Sequence, residues 1–443
     1  MCSLSASSPR ANVFLMTDTD ETPPATKQTE RPALPTRPTL LFDGINDWLI
    51  SQGLLETPLE DVVKGFGHRL VAGGVPVHRI GVASMVLHPV IGGLNLHWSA
   101  DNDTVSEEHL PRDAFGSPAF RDSPYYDLMV TNRRFVRYRL TDADNPDLQG
   151  EIYQTFRDRG MVDYLGFFET YGRPDAVLWA ELPAGIEGVV GSFMTRRASG
   201  FTDDEIAYIK ALSRTFALAV KTATTQMLSR VMLETYLGKI SGDLVLDGVV
   251  SRGDGRLIDC ALWFADLRGS TELASHLPLD DYLATLNDYF ECTANAVMDH
   301  GGEVLKFIGD AVLAIFPFED GTRPPDDMAR AAAAAARDAL ARRDAMNEKR
   351  ATPLQFGIGL HVGQVMYGNV GTTRRLDFTA TGVAVNEVTR LEGMTKKLIT
   401  PIVASRAFAD LYPEPLAPLG RHEAAGIDGG LEVFGLSGLG FRN

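Results

Sequence analysis

The sequence predicts a mixed α/β (α+β) protein that folds as two domains joined by a helical segment. Short apolar runs typical of strands alternate with longer runs of helical spacing on both sides of residues 226–258. The chain has 443 residues, more than one domain usually contains. Its 44% hydrophobic and 23% charged residues are typical of a globular protein with buried cores.

Composition excludes several classes of function. A formal net charge of −16 argues against a nucleic-acid-binding protein, and the chain has no basic run that would favour an anionic membrane surface. It contains neither an apolar run of about 18 residues nor the pattern of a signal peptide. The three cysteines show no metal-ligand spacing. We therefore expect a cytoplasmic protein without nucleic-acid or membrane partners, structural disulfides or zinc.

Residues 1–38 are rich in Ser, Thr, Pro and charged residues and have almost no repeating apolar face. Such a segment buries too little surface to offset the entropy of ordering, so it is predicted to be a disordered tail. Met16 is an alternative start of the chain, and the sequence alone does not decide between Met1 and Met16.

Residues 39–225 show the pattern of a first α/β domain. A helix with Thr57 as its cap and a long final helix capped by Thr202 flank the predicted strands. A turn with Pro89 and Gly92–Gly93 joins the first strand pair. The predicted elements before the final helix are the helix Thr57–Val71 and the strands Ile80–Leu87, Gly92–Trp98, Ala176–Leu182 and Gly188–Thr195.

Strands enclosed by helices and followed by a helix that begins FTDDE resemble a GAF-like small-molecule sensor domain. The resemblance covers roughly 150 residues and implies a regulatory domain with an unknown small-molecule ligand. No ligand-binding signature is visible in this region, and we expect His97 and Trp98 to be packing residues. Residues 226–258 continue the helical spacing as a linker, which is compatible with a signal conduit or with an inert dimer seam.

The second domain, residues 259–438, has the order β-α-β-β-α-β of a ferredoxin-like sheet with helices on one face. Its central turn lies within GEVLKFIGDAVLAIF, and its alanine run lies within a helix. The predicted elements are a strand at 261–266, a helix from near Thr271 over Leu283–Met298, a strand–turn–strand, the helix Asp327–Arg343, the strands GIGLHVGQVMYGNVG and LDFTATG, and the helix Ala384–Leu391.

Two carboxylates in this domain are candidate metal ligands. Asp266 ends an apolar strand and precedes a small-residue turn, and Asp310 lies in the turn of the predicted hairpin. If the hairpin lies beside the first strand, the two carboxylates converge, which favours a divalent cation between them. The alternative is that Asp310 only fills a hairpin turn.

Four further residues carry polar groups suited to a nucleotide. Lys306 has donors that adenine N1 accepts, or it pairs with Asp310. Asn386 and Arg390 share one helix face at spacing i, i+4, where they reach a ribose and a phosphoryl group or simply face solvent. The hydroxyl of Thr379 can accept from the 6-amino group of adenine.

The motifs FADLRGST, KFIGDAVLAIF, LHVGQVMYGNVG with LDFTATG, and VNEVTRLE together resemble the class III nucleotidyl cyclases over about 130 residues. The resemblance implies a head-to-tail homodimer in which one protomer supplies Asp266, Asp310 and Leu267 for two Mg²⁺ or Mn²⁺ ions. The other protomer supplies Lys306 and Thr379 for the base. The resemblance also implies that Asn386 binds the ribose and that Arg390 stabilises the transition state. The β- and γ-phosphates are then bound by backbone N–H groups, those of Leu267, Arg268, Gly269, Ser270 and Thr271.

The residue types at the base positions favour ATP, since guanine presents the reverse donor pattern and calls for an acceptor where Lys306 stands. The Lys306/Thr379 pair resembles a subgroup that is often stimulated by bicarbonate. Departures from the family pattern at Ser270, Val383 and the Glu387–Thr389 segment remove no functional group, but they put the packing around Asn386 in question. His361 is predicted to be a packing residue at a strand end.

The resulting prediction is an adenylate cyclase, a phosphorus–oxygen lyase that converts ATP to 3′,5′-cyclic AMP and pyrophosphate under N-terminal regulation. Alternatives are a guanylate cyclase, a nucleotide-polymerising palm domain, and a catalytically silent cyclase-like scaffold. The palm alternative requires a basic channel, and the net charge of −16 opposes it.

Overall fold

Two β-sheets organise the chain in the computed structural model. The structure describes residues 39–85, 91–111, 114, 117–131, 133–142, 145, 148–171, 188–318, 324–424 and 427–436. The predicted tail, the turn at Pro89 and the predicted strand Ala176–Leu182 lie outside these residues. Within the described parts of the chain, no helix is long and apolar enough to cross a membrane.

The first sheet has six antiparallel strands in the order β3-β2-β1-β6-β5-β4. The elements of this region are α1 (Thr39–Leu54), α2 (Leu59–Ala72), β1 (Arg79–Met85), β2 (Ile91–Ser99), β3 (Thr104–Pro111), α3 (Pro118–Arg121), α4 (Pro124–Val130), β4 (Phe135–Arg139), α5 (Glu151–Asp158), β5 (Asp163–Thr170), β6 (Gly188–Thr195) and α6 (Asp203–Leu237).

Strand alternation divides this sheet into two apolar faces. One face packs against α1, α2 and α6 and includes Ile80, Trp98 and Phe193. The other face packs against α4 and α5 and includes Tyr164 and Met194. The first domain is therefore a three-layer arrangement with helices on both sides of the sheet.

The two helix caps predicted in this region differ in outcome. Thr202 accepts from the N–H of Glu205, whose side chain accepts from the N–H of Thr202 in return, so α6 begins with the predicted capping box. The prediction that Thr57 caps the second helix is wrong, because α2 begins after Pro58 and no side chain accepts from its first N–H groups. The Thr57 hydroxyl instead donates to the side chain of Gln52 at 3.0 Å.

The helical segment between the sheets consists of the end of α6 and a short helix α7 (Lys239–Leu246). The buried carboxylate of Glu303 accepts from the N–H groups of Ile240 and Ser241 at 2.9 and 3.4 Å. The hydroxyl of Ser241 also bonds to that of Tyr367 at 2.7 Å. These contacts fix α7 to the second sheet.

The second sheet has eight strands, seven of them in the order β13-β14-β12-β10-β7-β9-β8, with β11 beside β10. The elements are β7 (Gly255–Leu267), α8 (Ser270–His276), α9 (Leu279–Asp299), β8 (Glu303–Ile308), β9 (Ala311–Pro317), α10 (Pro325–Asn347), β10 (Phe356–Thr372), β11 (Arg375–Thr381), α11 (Val383–Lys397), β12 (Ile402–Ser405), α12 (Arg406–Leu411), β13 (Ala417–Ala424) and β14 (Ile427–Gly435).

The central strands β10-β7-β9-β8 pair antiparallel, with the first strand of the domain beside its fourth and third. This order confirms the predicted ferredoxin-like arrangement. The first strand is longer than predicted, since β7 begins at Gly255. The prediction of a single helix from near Thr271 over Leu283–Met298 is wrong, because two separate helices, α8 and α9, occupy this segment, with Pro278 between them.

The expectation that all helices lie on one face of this sheet is wrong. α9 and α10 cover one face, where Trp263 and Phe356 are buried. α11 packs on the opposite face, where Val388 is buried. Gly359 permits this contact, because a Cβ atom there would lie 2.5 Å from the carbonyl oxygen of Val388.

Candidate active site

Asp266 and Asp310 meet at one end of the central strand pair. Asp266 pairs in register with Ala311, so the hairpin turn that carries Asp310 lies directly beside it. The N–H of Leu267 donates to the carbonyl oxygen of Asp310 at 3.3 Å, which fixes this turn to the end of β7. Burial, followed by the charge and hydrogen bond of Asp310, raises the pKa of Asp266 to about 6. The structure thus brings these two carboxylates together.

The chemistry of this pair fits a hard divalent cation. Two carboxylates in contact repel each other unless a proton or a cation intervenes. Among the described residues, no group of three or more His, Cys, Asp or Glu side chains could hold a metal ion. A pair of carboxylates is nevertheless a sufficient protein contribution for Mg²⁺, which usually completes its shell with water and substrate phosphates.

The turn from Leu267 to Thr271 connects β7 to α8. The N–H of Leu267 donates to Asp310, and the N–H of Arg268 donates to the carbonyl oxygen of Gln355 at 2.8 Å. These two N–H groups of the predicted phosphate contacts therefore already have partners within the chain. Gly269 is the left-handed N-cap of α8, with Ser270 and Thr271 in its first turn, where helical N–H groups lack intrahelical partners. The N–H groups of Gly269, Ser270 and Thr271 therefore lie at the start of α8, where a phosphate could bind them.

The side chain of Arg268 ties this turn to α11. It lies 3.4 Å from the carboxylate of Glu392 and donates to the hydroxyl of Thr395. Burial raises the pKa of Glu392 to about 7, and the positive charge of Arg268 opposes that rise. The negative charges of Asp266 and Asp310 also raise the pKa of Glu392. The turn and α11 are therefore coupled through a buried ion pair close to the two aspartates.

Lys306 lies on β8 and pairs with the carboxylate of Asp377 on β11. The alternative prediction, a salt bridge between Lys306 and Asp310, is wrong, because Lys306 pairs with Asp377 instead. Thr379 is buried two residues after Asp377 on β11, and the two strands approach each other across the face that holds Leu305 and Phe378. β8 and β11 do not pair with each other in the sheet, and the ion pair between Lys306 and Asp377 joins the strand of Lys306 to the strand of Thr379.

Asn386 and Arg390 lie on α11 and are both exposed. The departures that put this helix in question are accommodated. Val388 is fully buried, the hydroxyl of Thr389 donates to the carbonyl oxygen of Val385 at 2.9 Å, and Glu387 lies 3.1 Å from Nε2 of His361. His361 is buried within β10 rather than at a strand end, and burial lowers its pKa to about 4, so the imidazole is neutral near pH 7.

Sequence reasoning missed three residues near this site: Asp377, Glu392 and Tyr289. Asp377 could have been found, because it lies two residues before Thr379 and shares its side of the strand. Glu392 and Tyr289 carry no comparable signal, since their nearness to Asp266 depends on how α11 and α9 pack. The buried hydroxyl of Tyr289 lacks a hydrogen-bond partner.

Comparison with known proteins agrees with this geometry. Residues 255–405 match the family described as the adenylate and guanylate cyclase catalytic domain. An adenylate cyclase of Anabaena cylindrica is 38% identical over 142 residues, which is 30% of this chain and 27% of that protein. The chain contains a class III nucleotidyl cyclase domain.

Two further similar proteins also match part of this chain. An uncharacterised protein of Mycobacterium tuberculosis is 39% identical over 145 residues, 33% of this chain and 26% of that protein. A solved structure of a bacterial light-regulated adenylyl cyclase is 25% identical, covers 52% of this chain and 65% of its own, and has a TM-score of 0.42. The chain spans about a quarter of the length of the first curated relatives, so these similarities concern the cyclase domain and not the whole protein.

Proposed function

We propose that this protein is an adenylate cyclase that converts ATP to 3′,5′-cyclic AMP and pyrophosphate. The observation that carries the proposal is the position of Asp310 directly beside Asp266 at the end of the central strand pair of a cyclase domain. The same domain keeps every other residue that the predicted site requires. The adenylate cyclase of Anabaena cylindrica supports ATP as the substrate class.

The reaction is attack of the ribose 3′-oxygen on the α-phosphorus, with pyrophosphate as the leaving group. Divalent ions at Asp266 and Asp310, when bound, lower the pKa of the 3′-hydroxyl and neutralise the phosphates. The N–H groups of Gly269, Ser270 and Thr271 bind the β- and γ-phosphates. Arg390 donates to the α-phosphoryl oxygens as negative charge develops, and Asn386 holds the ribose.

Base selection depends on Lys306 and Thr379. The ammonium of Lys306 donates to N1 of adenine, and the hydroxyl of Thr379 accepts from the 6-amino group. Asp377 holds the lysine on β8 before the base arrives. Guanine has a donor at N1, so a guanylate cyclase is the second candidate and is disfavoured by the positive charge.

The proposed site is shared between two copies of the chain. Asn386 and Arg390 are exposed, and large apolar side chains at Phe307, Ile308 and Val383 are also exposed, 51%, 49% and 71% respectively. Exposed apolar residues next to polar site residues favour a protein partner. A second copy fits, because each protomer carries both halves of the site and two-fold symmetry then forms two complete sites.

The N-terminal region is proposed to be a GAF-like regulatory domain that acts through α6 and α7. Support comes from the contact of α7 with Glu303, which lies on the strand that also carries Lys306. A displacement of α7 therefore acts on the strand that holds the base-binding lysine.

Measurement of cyclic nucleotide formed from ATP or GTP, with Mg²⁺ or Mn²⁺, tests the proposal. We expect cyclic AMP from ATP, and a loss of more than ~100-fold in Asp266→Asn, because one carboxylate alone holds the metal ions poorly. Asp259→Asn is the matched control, since Asp259 lies on the same strand but is exposed. Absence of product under every condition supports the silent scaffold instead, and equal activity in Asp266→Asn excludes the assigned metal role.

The base assignment has its own test. Lys306→Glu replaces the donor by an acceptor and should lower the ratio of ATP to GTP turnover by at least ~10-fold, the scale of one charged hydrogen bond. An unchanged ratio of the two kcat/KM values would remove Lys306 from base selection.

A further inference from the structure

A cavity of about 370 Å³ lies in the N-terminal domain, on the face of the first sheet that α4 and α5 cover. Most of its lining is apolar and includes Met85, Leu94 and Phe156. Polar side chains from β1, β2, β5 and β6 gather in one part of the wall. A largely apolar pocket of this size with a few convergent polar groups is typical of a small-molecule site.

The polar part of the wall holds an unusual number of unsatisfied groups. Four buried side-chain atoms without a hydrogen-bond partner line this cavity: Arg79 Nε, Asn95 Oδ1, His97 Nδ1 and Tyr164 Oη. All four lie on the one sheet face that lines the cavity. Since buried polar groups in proteins are nearly always bonded, this concentration indicates a missing partner inside the cavity.

The charge of the wall indicates the charge of that partner. Arg79 is only 9% exposed, and burial lowers its pKa. The neighbouring groups that also act on this pKa are Tyr125, Arg159 and Tyr164, and none of them is a carboxylate. Burial and the charge of Arg79 lower the pKa of His97 to about 3, so this imidazole is neutral. Glu108 lies at the exposed rim and accepts from Asn95 at 3.4 Å. Among the described residues, the positive charge in the interior of the cavity therefore has no counter-ion.

Gly81, two residues after Arg79 on β1, lets three polar side chains of the wall pack close to the backbone. A Cβ atom at Gly81 would lie 2.6 Å from Oη of Tyr125, 2.9 Å from Oγ of Ser192 and 3.2 Å from Nδ1 of His97. Three polar groups thus converge beside Gly81, where any larger residue would displace them. His97 is predicted from the sequence to be a packing residue, but it lies on the cavity side of β2. The prediction for its neighbour Trp98 is confirmed, since Trp98 is buried in the apolar core on the other face of the sheet.

We propose that this cavity binds a small organic carboxylate with an aromatic or aliphatic body. The carboxylate pairs with Arg79 and accepts from the neighbouring hydroxyl groups, while the body contacts the apolar lining. A phosphate monoester fits less well, because it brings about two negative charges to a single buried cation. This inference does not depend on cyclase activity.

The test uses a matched pair of probes, 2-naphthoate and the uncharged 2-naphthamide, titrated into the full chain by isothermal calorimetry. We expect saturable binding of one naphthoate per chain, at least ~10-fold tighter than that of the amide, as a charged hydrogen bond provides. Arg79→Met should lose this preference and leave amide binding nearly unchanged. No saturable binding to the wild type, or equal binding of both probes, overturns the proposal.

Two further variants separate a lost site from a lost fold. Arg196→Gln removes an arginine of the same domain that pairs with Asp101 at 2.7 Å on the surface, and it should bind naphthoate like the wild type. Gly81→Ala retains Arg79 but displaces the polar side chains of the wall that pack against Gly81, and it should weaken naphthoate binding by at least ~10-fold. Circular dichroism verifies the fold of each variant. Undiminished naphthoate binding by folded Arg79→Met or Gly81→Ala contradicts the assignment.

Discussion

The two candidate sites of this chain carry opposite unbalanced charges. In the cyclase domain, two carboxylates crowd together at the end of β7, and the pKa of Asp266 rises to about 6 because of burial and the neighbouring Asp310. In the N-terminal domain, the buried guanidinium of Arg79 has no carboxylate beside it. Each arrangement is unfavourable in the free chain and becomes favourable when a ligand of opposite charge binds. The sign of the imbalance therefore indicates a cation for one site and an anion for the other.

The largest expected effect concerns the acidic site. Mn²⁺ at about 100 times its Kd should raise the free energy of unfolding of the wild type by about 3 kcal/mol, and a chelator should reverse the gain. The rise in Tm should nearly vanish in Asp266→Asn and persist in Asp259→Asn. An equal rise in all three proteins would show that the metal binds elsewhere.

A smaller effect of the same kind is expected at the cationic site. In the absence of ligand, Arg79→Met should increase the free energy of unfolding by about 1–2 kcal/mol, because it removes a buried charge without a counter-ion. Arg196→Gln, a surface change, should stay within about 0.5 kcal/mol of the wild type. Differential scanning calorimetry measures both. Clear destabilisation by Arg79→Met would mean that the arginine has stabilising contacts within the chain.

The junction between the domains gives an effect that appears only when the pH changes. Burial raises the pKa of Glu303 to about 7, above the usual value of 4.5. The folded chain therefore retains a proton that the unfolded chain releases, and stability falls as pH rises from about 4.5 to about 7, by roughly 1–3 kcal/mol. Glu303→Gln has no such proton, so its Tm should change less between about pH 5 and about pH 7.5. Matching pH profiles of wild type and Glu303→Gln would exclude this carboxylate as the source.

The two sites also differ in how far the sequence predicted them. Asp266 and Asp310 each lie in a short motif, and the β-α-β-β order places their strands side by side, so their contact could be expected. The ion pair of Arg268 with Glu392 depends on the close approach of α11 to β10 at Gly359, which no local pattern reveals. The same limit applies to the placement of α11 on the opposite face of the sheet.

No sequence motif indicates the N-terminal cavity. Its polar residues come one or two at a time from separate strands, and each lies within an otherwise apolar run. The sequence therefore predicts His97 to be a packing residue, because a single polar residue in a strand does not indicate that the strand faces a cavity. Only the pairing of β1 with β2 and β6 brings Arg79, His97 and Ser192 together.

The central claim is that the acidic pair in one protomer acts with α11 of a second protomer on one ATP. Mixing two inactive variants, Asp266→Asn and Arg390→Ala, tests it most directly, since a mixed dimer contains one complete site. Each variant alone should form little cyclic AMP, whereas the equilibrated mixture should recover about a quarter of wild-type activity, as random two-fold pairing predicts. Activity of the mixture no greater than the average of the separate variants would contradict the shared site.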